Sequence, residues 1–144
     1  MSAQIIDGKA IAATIRGEIK QEVEEMKARY GRVPGLAAVL VGDRPDSATY
    51  VRMKKKACAE VGITSFGYEL PADISQEDLL KVVRDLNDNP DVHGILVQLP
   101  LPDHIDEEEI LGAISIEKDV DGFHPLNIGR LSMKRREPLF VPCT

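Results

Sequence analysis

One lysine of this sequence lies on a helix face that should be apolar. With residues 47–61 wound at about 100° per residue, Lys54 falls at the centre of an apolar arc, and Lys56 points to the opposite side. The arc is formed by Tyr50, Val51, Ala57, Cys58 and Val61. An ammonium facing a core costs several kcal/mol unless polar groups solvate it or it releases its proton. Those conditions make a lysine a proton-transfer group, so Lys54 is the first candidate for chemistry, with a structural role as the equal alternative.

Other polar side chains occur where they can meet this lysine. Gln98 directly follows the apolar run 94–97, and its amide both donates and accepts, so it can orient a lysine or a substrate amide, or satisfy backbone groups at a strand end. Asp119 and Asp121 stand two residues apart and should point in different directions. One of them can face a pocket as an acceptor for a guanidine-like or amino-pyrimidine group, although turn formation is the default role. Tyr50 is catalytic or, more often for such a residue, an aromatic at the edge of a core.

Helices and strands alternate along the part of the chain that must position these residues. A periodic helix follows Asp7 and ends near Gly31, and the lysine helix ends at Gly62. Apolar or alternating runs predict strands at 36–41, 63–70 and 94–97, and a helix capped by Ser75 lies between the last two. After Pro102 we expect a short helix at 107–114, an acidic turn at 119–122 and a helical turn at 125–131.

Successive strand–helix–strand units imply a parallel sheet with right-handed crossovers. The predicted fold class is therefore α/β, a three-layer α/β/α arrangement with a mainly parallel sheet. Ligands of such sheets bind beyond the carboxyl ends of the strands. Tyr50 and Lys54 begin the helix after the first strand, and Gln98 ends the third, so all three are predicted at that edge.

Composition narrows the function classes. The chain has 144 residues, of which 43% are hydrophobic and 29% charged, enough for one globular domain with a core. Its net charge of -6 argues against binding to nucleic acid or to an anionic membrane. Residues 1–7 lack the features of a signal peptide, and no apolar run approaches membrane-spanning length, so we expect a cytoplasmic protein. Cys58 and Cys143 make no disulfide framework or zinc site, and the histidines lack metal-ligand spacing, so no metal is predicted.

Five segments occur in a distinctive order. They are Tyr50-Val51-x-x-Lys54-x-Lys56-Ala57, Gly94-Ile95-Leu96-Val97-Gln98-Leu99-Pro100-Leu101-Pro102, Lys118-Asp119-Val120-Asp121-Gly122-Phe123-His124-Pro125, Asn127-x-Gly129-Arg130-Leu131 and Pro142-Cys143-Thr144. Together they closely resemble the bifunctional methylenetetrahydrofolate dehydrogenase/cyclohydrolase family of the FolD type, and the opening 5–9 also fits. The resemblance covers essentially the whole chain. It implies a folate-binding catalytic domain over residues 1–144, with the fold found at the N-terminus of amino-acid dehydrogenases.

The resemblance also implies roles for individual residues. The lysine matching Lys54 moves the proton in the cyclohydrolase step, in which water opens 5,10-methenyltetrahydrofolate to 10-formyltetrahydrofolate. The glutamine matching Gln98 hydrogen-bonds that lysine, the tyrosine matching Tyr50 packs on the folate, and the aspartate matching Asp121 holds the pterin-like ring. The backbone from Val97 through Leu99 to Pro100 lines the same pocket. These residues are the implied catalytic and substrate-binding set.

The dehydrogenase step passes a hydride from 5,10-methylenetetrahydrofolate to NADP, and in the family a dinucleotide-binding domain follows the segment ending at Thr144. This sequence contains no Gly-x-Gly and so no Rossmann fingerprint. We therefore expect a catalytic domain of a larger enzyme, without a main NADP site or dehydrogenase activity of its own, with Thr144 as its one cofactor contact. An exposed apolar patch is expected too, and a homodimer for the full-length enzyme. The alternatives are a non-catalytic folate-binding module and a flavodoxin-like interaction domain.

Overall fold

The protein is described by a computed structural model that covers residues 5–142. Thr144 and Cys143 therefore lie outside the described residues. In chain order the elements are α1 (Gly8–Tyr30), β1 (Gly35–Val41), α2 (Pro45–Val61), β2 (Thr64–Leu70), α3 (Gln76–Asp88), β3 (Gly94–Val97), α4 (Glu107–Gly112) and α5 (Pro125–Ser132). The predicted alternation is confirmed, with shifts of a residue or two at most boundaries. Asp7 caps α1 and Ser75 caps α3, as short polar side chains at these positions do.

The sheet is parallel and has the order β2-β1-β3. Its central strand β1 is buried on both faces, which explains its uninterrupted apolar sequence. Alternate residues of β1 face opposite layers: Ala37, Val39 and Val41 join a large core with α3 and α4, whereas Ala38 and Leu40 pack with Val51 of α2. The helices α1 and α2 pack together on one face of the sheet, and α3 and α4 cover the other face. The molecule therefore has the three predicted α/β/α layers.

The helix α1 is more exposed than its apolar periodicity predicts. Val23 is its buried residue, while Ile11 and Ile15 are about half exposed, at 50% and 48%. Ile5 and Ile6, before the helix, are 90% and 85% exposed. The expected apolar patch is therefore present along this helix and its N-terminal extension. Within the described range 5–142, no helix combines the length and the hydropathy that crossing a membrane requires.

The acidic turn joins the sheet beside β3. Ile95 donates its backbone N–H to the carbonyl of Lys118 at 2.7 Å, and Asp119 forms a parallel bridge with Ile95. This close approach depends on Gly94, because a Cβ there would lie 2.6 Å from Cγ1 of Val120. The hydrogen bond and the bridge thereby fix the acidic turn in register with β3.

We expect Gly94→Ala to lower the free energy of unfolding by about 1–3 kcal/mol, because the new methyl group overpacks the β-branched Val120. Urea denaturation measures the change. Gly17→Ala is the matched control, since its Cβ would meet no atom within 4 Å on α1, and it should stabilise by up to about 1 kcal/mol. Unchanged stability of Gly94→Ala would contradict the proposed packing.

Candidate active site

Lys54 and Gln98 meet at the carboxyl edge of the sheet. The Nζ of Lys54 donates to the Oε1 of Gln98 over 3.2 Å, and both side chains are half-buried. Lys54 lies on α2 between buried Val51 and Cys58, as the helical phase predicts, whereas Lys56 is exposed. The sequence hypothesis that Gln98 orients the lysine agrees with this contact.

The amide of Gln98 is held in one orientation. Its Nε2 donates to the carbonyl of Leu99 at 2.8 Å, which leaves Oε1 to face the lysine. Its backbone N–H donates to Val39 of the central strand at 2.8 Å. A fixed acceptor of this kind can solvate the ammonium and also hold the neutral amine in place, both of which proton transfer requires.

The lip beyond Gln98 is formed by the segment 99–102, in which the Leu99–Pro100 peptide is cis. Glu107 accepts the backbone N–H of Leu101 at 2.7 Å, a role that the sequence analysis did not predict. Pro100 also lines an open cavity of about 330 Å³ with Gly42, Asp43 and Ala72, and neither Lys54 nor Gln98 is among the residues that line it. Open space therefore adjoins the strand ends where a ligand is expected.

Asp121 is the acidic side chain that acts electrostatically together with Lys54. Burial raises the pKa of its carboxyl above the usual value, the charge of Lys54 lowers it, and the charge of Asp119 raises it again. The net result is a half-buried carboxyl with an elevated pKa. The charge of Lys54 thus acts on Asp121, whose role in the site stays a prediction.

Asp119 is more deeply buried than Asp121. It is 1% exposed, and its carboxylate accepts hydrogen bonds from the backbone N–H groups of Phe123 and His124 and from Nδ2 of Asn127. Asn127 is fully buried and accepts the N–H of Leu139 through Oδ1. The hydrogen bond between Asp119 and Asn127 was not predicted from the sequence. The one sequence feature that pointed to it was an asparagine in the segment after the acidic turn.

The remaining predicted residues have mixed outcomes. Tyr50 is 60% exposed, so its predicted place on the buried arc is wrong: one step along the helix from Val51 turns it to solvent. The neighbouring Lys55 forms an ion pair with Glu69 of β2, in which Nζ and Oε1 are 2.8 Å apart. Cys58 is a buried core residue, as expected, and burial raises the pKa of its thiol. Val97, Leu99 and Pro100 flank Gln98 in the backbone of the site.

Comparison with known proteins identifies a matching family, similar sequences and similar structures. Residues 6–121 match the family described as tetrahydrofolate dehydrogenase/cyclohydrolase, catalytic domain. "Bifunctional protein FolD 2" of Arabidopsis thaliana is 68% identical over 99% of this chain and 48% of its own length. A crystal structure of the Trypanosoma brucei methylenetetrahydrofolate dehydrogenase-cyclohydrolase (FolD), complexed with NADP cofactor and inhibitor, superposes with a TM-score of 0.93. It has 47% identity over 99% of this chain and 49% of that one.

The fold is of the α/β class, with a parallel sheet and a hydrogen-bonded lysine–glutamine pair at its carboxyl edge. The chain belongs to the tetrahydrofolate dehydrogenase/cyclohydrolase family. It spans about half the length of the curated relatives it matches. Among residues 5–142, no group of histidine, cysteine and acidic side chains is arranged to hold a metal ion.

Proposed function

We propose that this chain is the folate-binding catalytic domain of a bifunctional enzyme that interconverts 5,10-methylene-, 5,10-methenyl- and 10-formyltetrahydrofolate. The observation that carries the proposal is the hydrogen bond between Lys54 and Gln98 at the strand ends. The charge of Lys54 also acts on Asp121, whose pKa it lowers against the effect of burial. A lysine of purely structural function would not need an oriented amide and a half-buried carboxyl beside it.

In the hydrolytic step, water adds to the methenyl carbon and its proton passes to the neutral amine of Lys54. The bond between that carbon and N5 then breaks as N5 takes up a proton, the formyl group stays on N10, and one proton is released overall. The Oε1 of Gln98, fixed by Leu99, accepts a hydrogen bond from the lysine throughout. Asp121 accepts the amino and ring N–H groups of the pterin, and the exposed Tyr50 covers the ring.

For the dehydrogenase step we propose NADP as the hydride acceptor of the full-length enzyme. The turn after β1 does not fit a dinucleotide pyrophosphate, because it has one glycine, Gly42, and is followed by the exposed acids Asp43 and Asp46. We propose that the main cofactor site of the full-length enzyme lies in a second domain, and Thr144 stays a predicted contact. This chain contributes the folate site against which such a cofactor must be positioned.

Further proposals concern the environment of the enzyme. The net charge of -6 argues against nucleic acid as a partner. We propose a homodimer for the full-length enzyme and a cytoplasmic location, although similar proteins of Arabidopsis thaliana are named as chloroplastic and mitochondrial. A role in supplying one-carbon units for purine and amino-acid biosynthesis follows from the proposed product.

A thermal-shift titration tests the folate site directly. A folate ligand that binds the native state should stabilise the chain by about 2.7 kcal/mol at 100 times its dissociation constant. NADP is the matched control and should produce no comparable shift, because the described residues offer no pyrophosphate turn. If no folate raised the melting temperature, the interaction-domain alternative would replace this proposal.

A further inference from the structure

The turn that carries Asp121 is anchored on both sides. Before it, the Nζ of Lys118 donates to the carbonyls of Leu86, Asn87 and Asn89 at the C-terminal end of α3, at 3.2, 2.7 and 2.9 Å. The parallel bridge between Ile95 and Asp119 continues this anchoring to β3.

After the turn, the anchor is the side chain of Asp119. Its two carboxylate oxygens accept the N–H groups of Phe123 and His124, at 3.2 and 2.8 Å, and its backbone carbonyl accepts the N–H of Gly122. The chain therefore closes around Asp119, and Asp121 lies within this closed loop. Gly122 adopts a φ of 74°, which allows the reversal, and a Cβ there would lie 2.9 Å from Pro142.

The carboxylate of Asp119 has hydrogen-bond donors but no cationic partner in the hydrogen bonds described. The three donors are two peptide N–H groups and the Nδ2 of Asn127, all of them neutral. Its negative charge therefore acts on the second carboxyl, where it opposes ionisation and raises the pKa of Asp121. Lys54, on α2, acts in the opposite direction.

We propose that Asp119 is a positioning residue for the folate site, which holds the loop around Asp121 through the hydrogen bonds that its buried carboxylate accepts. Asn127 supports it by holding the buried carboxylate and by tying the loop to Leu139. This inference rests on the proposed function of Asp121 in folate binding.

Carbon-13 NMR of aspartate carboxyl groups in the chain tests the proposal without folate. In the unaltered protein the Asp121 signal should titrate above the usual range. In Asp119→Asn its midpoint should fall, because the charge that opposes ionisation of Asp121 is removed. Asn87→Ala is the control for general loosening: it removes a side-chain anchor between α3 and the segment 113–115, and should lower stability without moving the midpoint.

A second variant keeps the test valid if Asp119→Asn fails to fold, since the amide loses one of the acceptor contacts. The exchange Asp119→Asn with Asn127→Asp keeps a carboxylate–amide hydrogen bond and transfers the charge to α5. The Asp121 midpoint should again fall. An unchanged midpoint in either folded variant overturns the proposal, and folate affinity, measured separately, shows whether the proposed function itself fails.

Discussion

Replacing Lys54 by methionine should abolish the cyclohydrolase reaction. Loss of a positioned proton-transfer group costs about 10²–10⁴-fold in rate, and no other described amine donates to Gln98. Methionine fills similar space on a half-buried helix face between Val51 and Cys58, so the fold should remain and stability should not fall. The decay of methenyltetrahydrofolate absorbance measures the rate.

Lys56→Met is the matched control, because Lys56 lies on the same helix but is exposed on its other side. It should leave the rate unchanged. Methenyltetrahydrofolate affinity should change little in Lys54→Met, since the lysine acts on the attacking water. Equal decay rates for the unaltered chain and Lys54→Met would remove the catalytic assignment.

The sequence predicts this lysine well because two simple rules apply to it. Helical periodicity determines which side chains of α2 meet the sheet, and parallel strands bring their carboxyl ends to one edge. Together they predict that Lys54 and Gln98, 44 residues apart, lie near each other, and the structure gives a direct hydrogen bond. The apolar run 94–97 also correctly predicted the strand β3, which is buried along its whole length.

Periodicity fails where a residue lies at the edge of a helix face. Tyr50 and Val51 are adjacent, yet the valine is 3% exposed and the tyrosine 60%. The width of the buried face depends on how the sheet packs against α2, which local sequence does not contain. For α1 the pattern predicted the helix correctly but not how little of its apolar face is covered.

The acidic turn could not be resolved from sequence for a related reason. Asp119 and Asp121 have the same chemistry and neighbouring positions, and default turn propensities apply to both. The difference between them arises from tertiary contacts: Asp119 bridges to β3 and meets Asn127, whereas Asp121 is left half-buried near Lys54. Only the resemblance to a known family singled out Asp121.

Asp121→Asn should have opposite effects on folate binding and on stability. Asparagine replaces the charge-assisted acceptor of the pterin N–H groups, a loss of about 1.5–3 kcal/mol or roughly 10–100-fold in affinity. In the unliganded protein the ionised carboxyl is unfavourable, because burial and Asp119 together outweigh Lys54 and raise its pKa. The neutral variant should therefore be slightly more stable at neutral pH, with a higher melting temperature, and the effect should be small because solvent screens a half-exposed group.

The sign of the pH dependence follows from the elevated pKa of Asp121 in the folded chain. Its stabilising contribution is fully present below the pKa of the unfolded state and is lost as the pH rises through the folded-state pKa. The advantage of Asp121→Asn should thus vanish in acid, where the native carboxyl is also neutral, and reach its full size near pH 7. Asp73→Asn, at an exposed turn before α3, is the control and should affect neither binding nor this profile. A variant that bound folate poorly and was also less stable at pH 7 would mean that Asp121 holds the fold together, because a carboxyl kept for binding alone should cost stability.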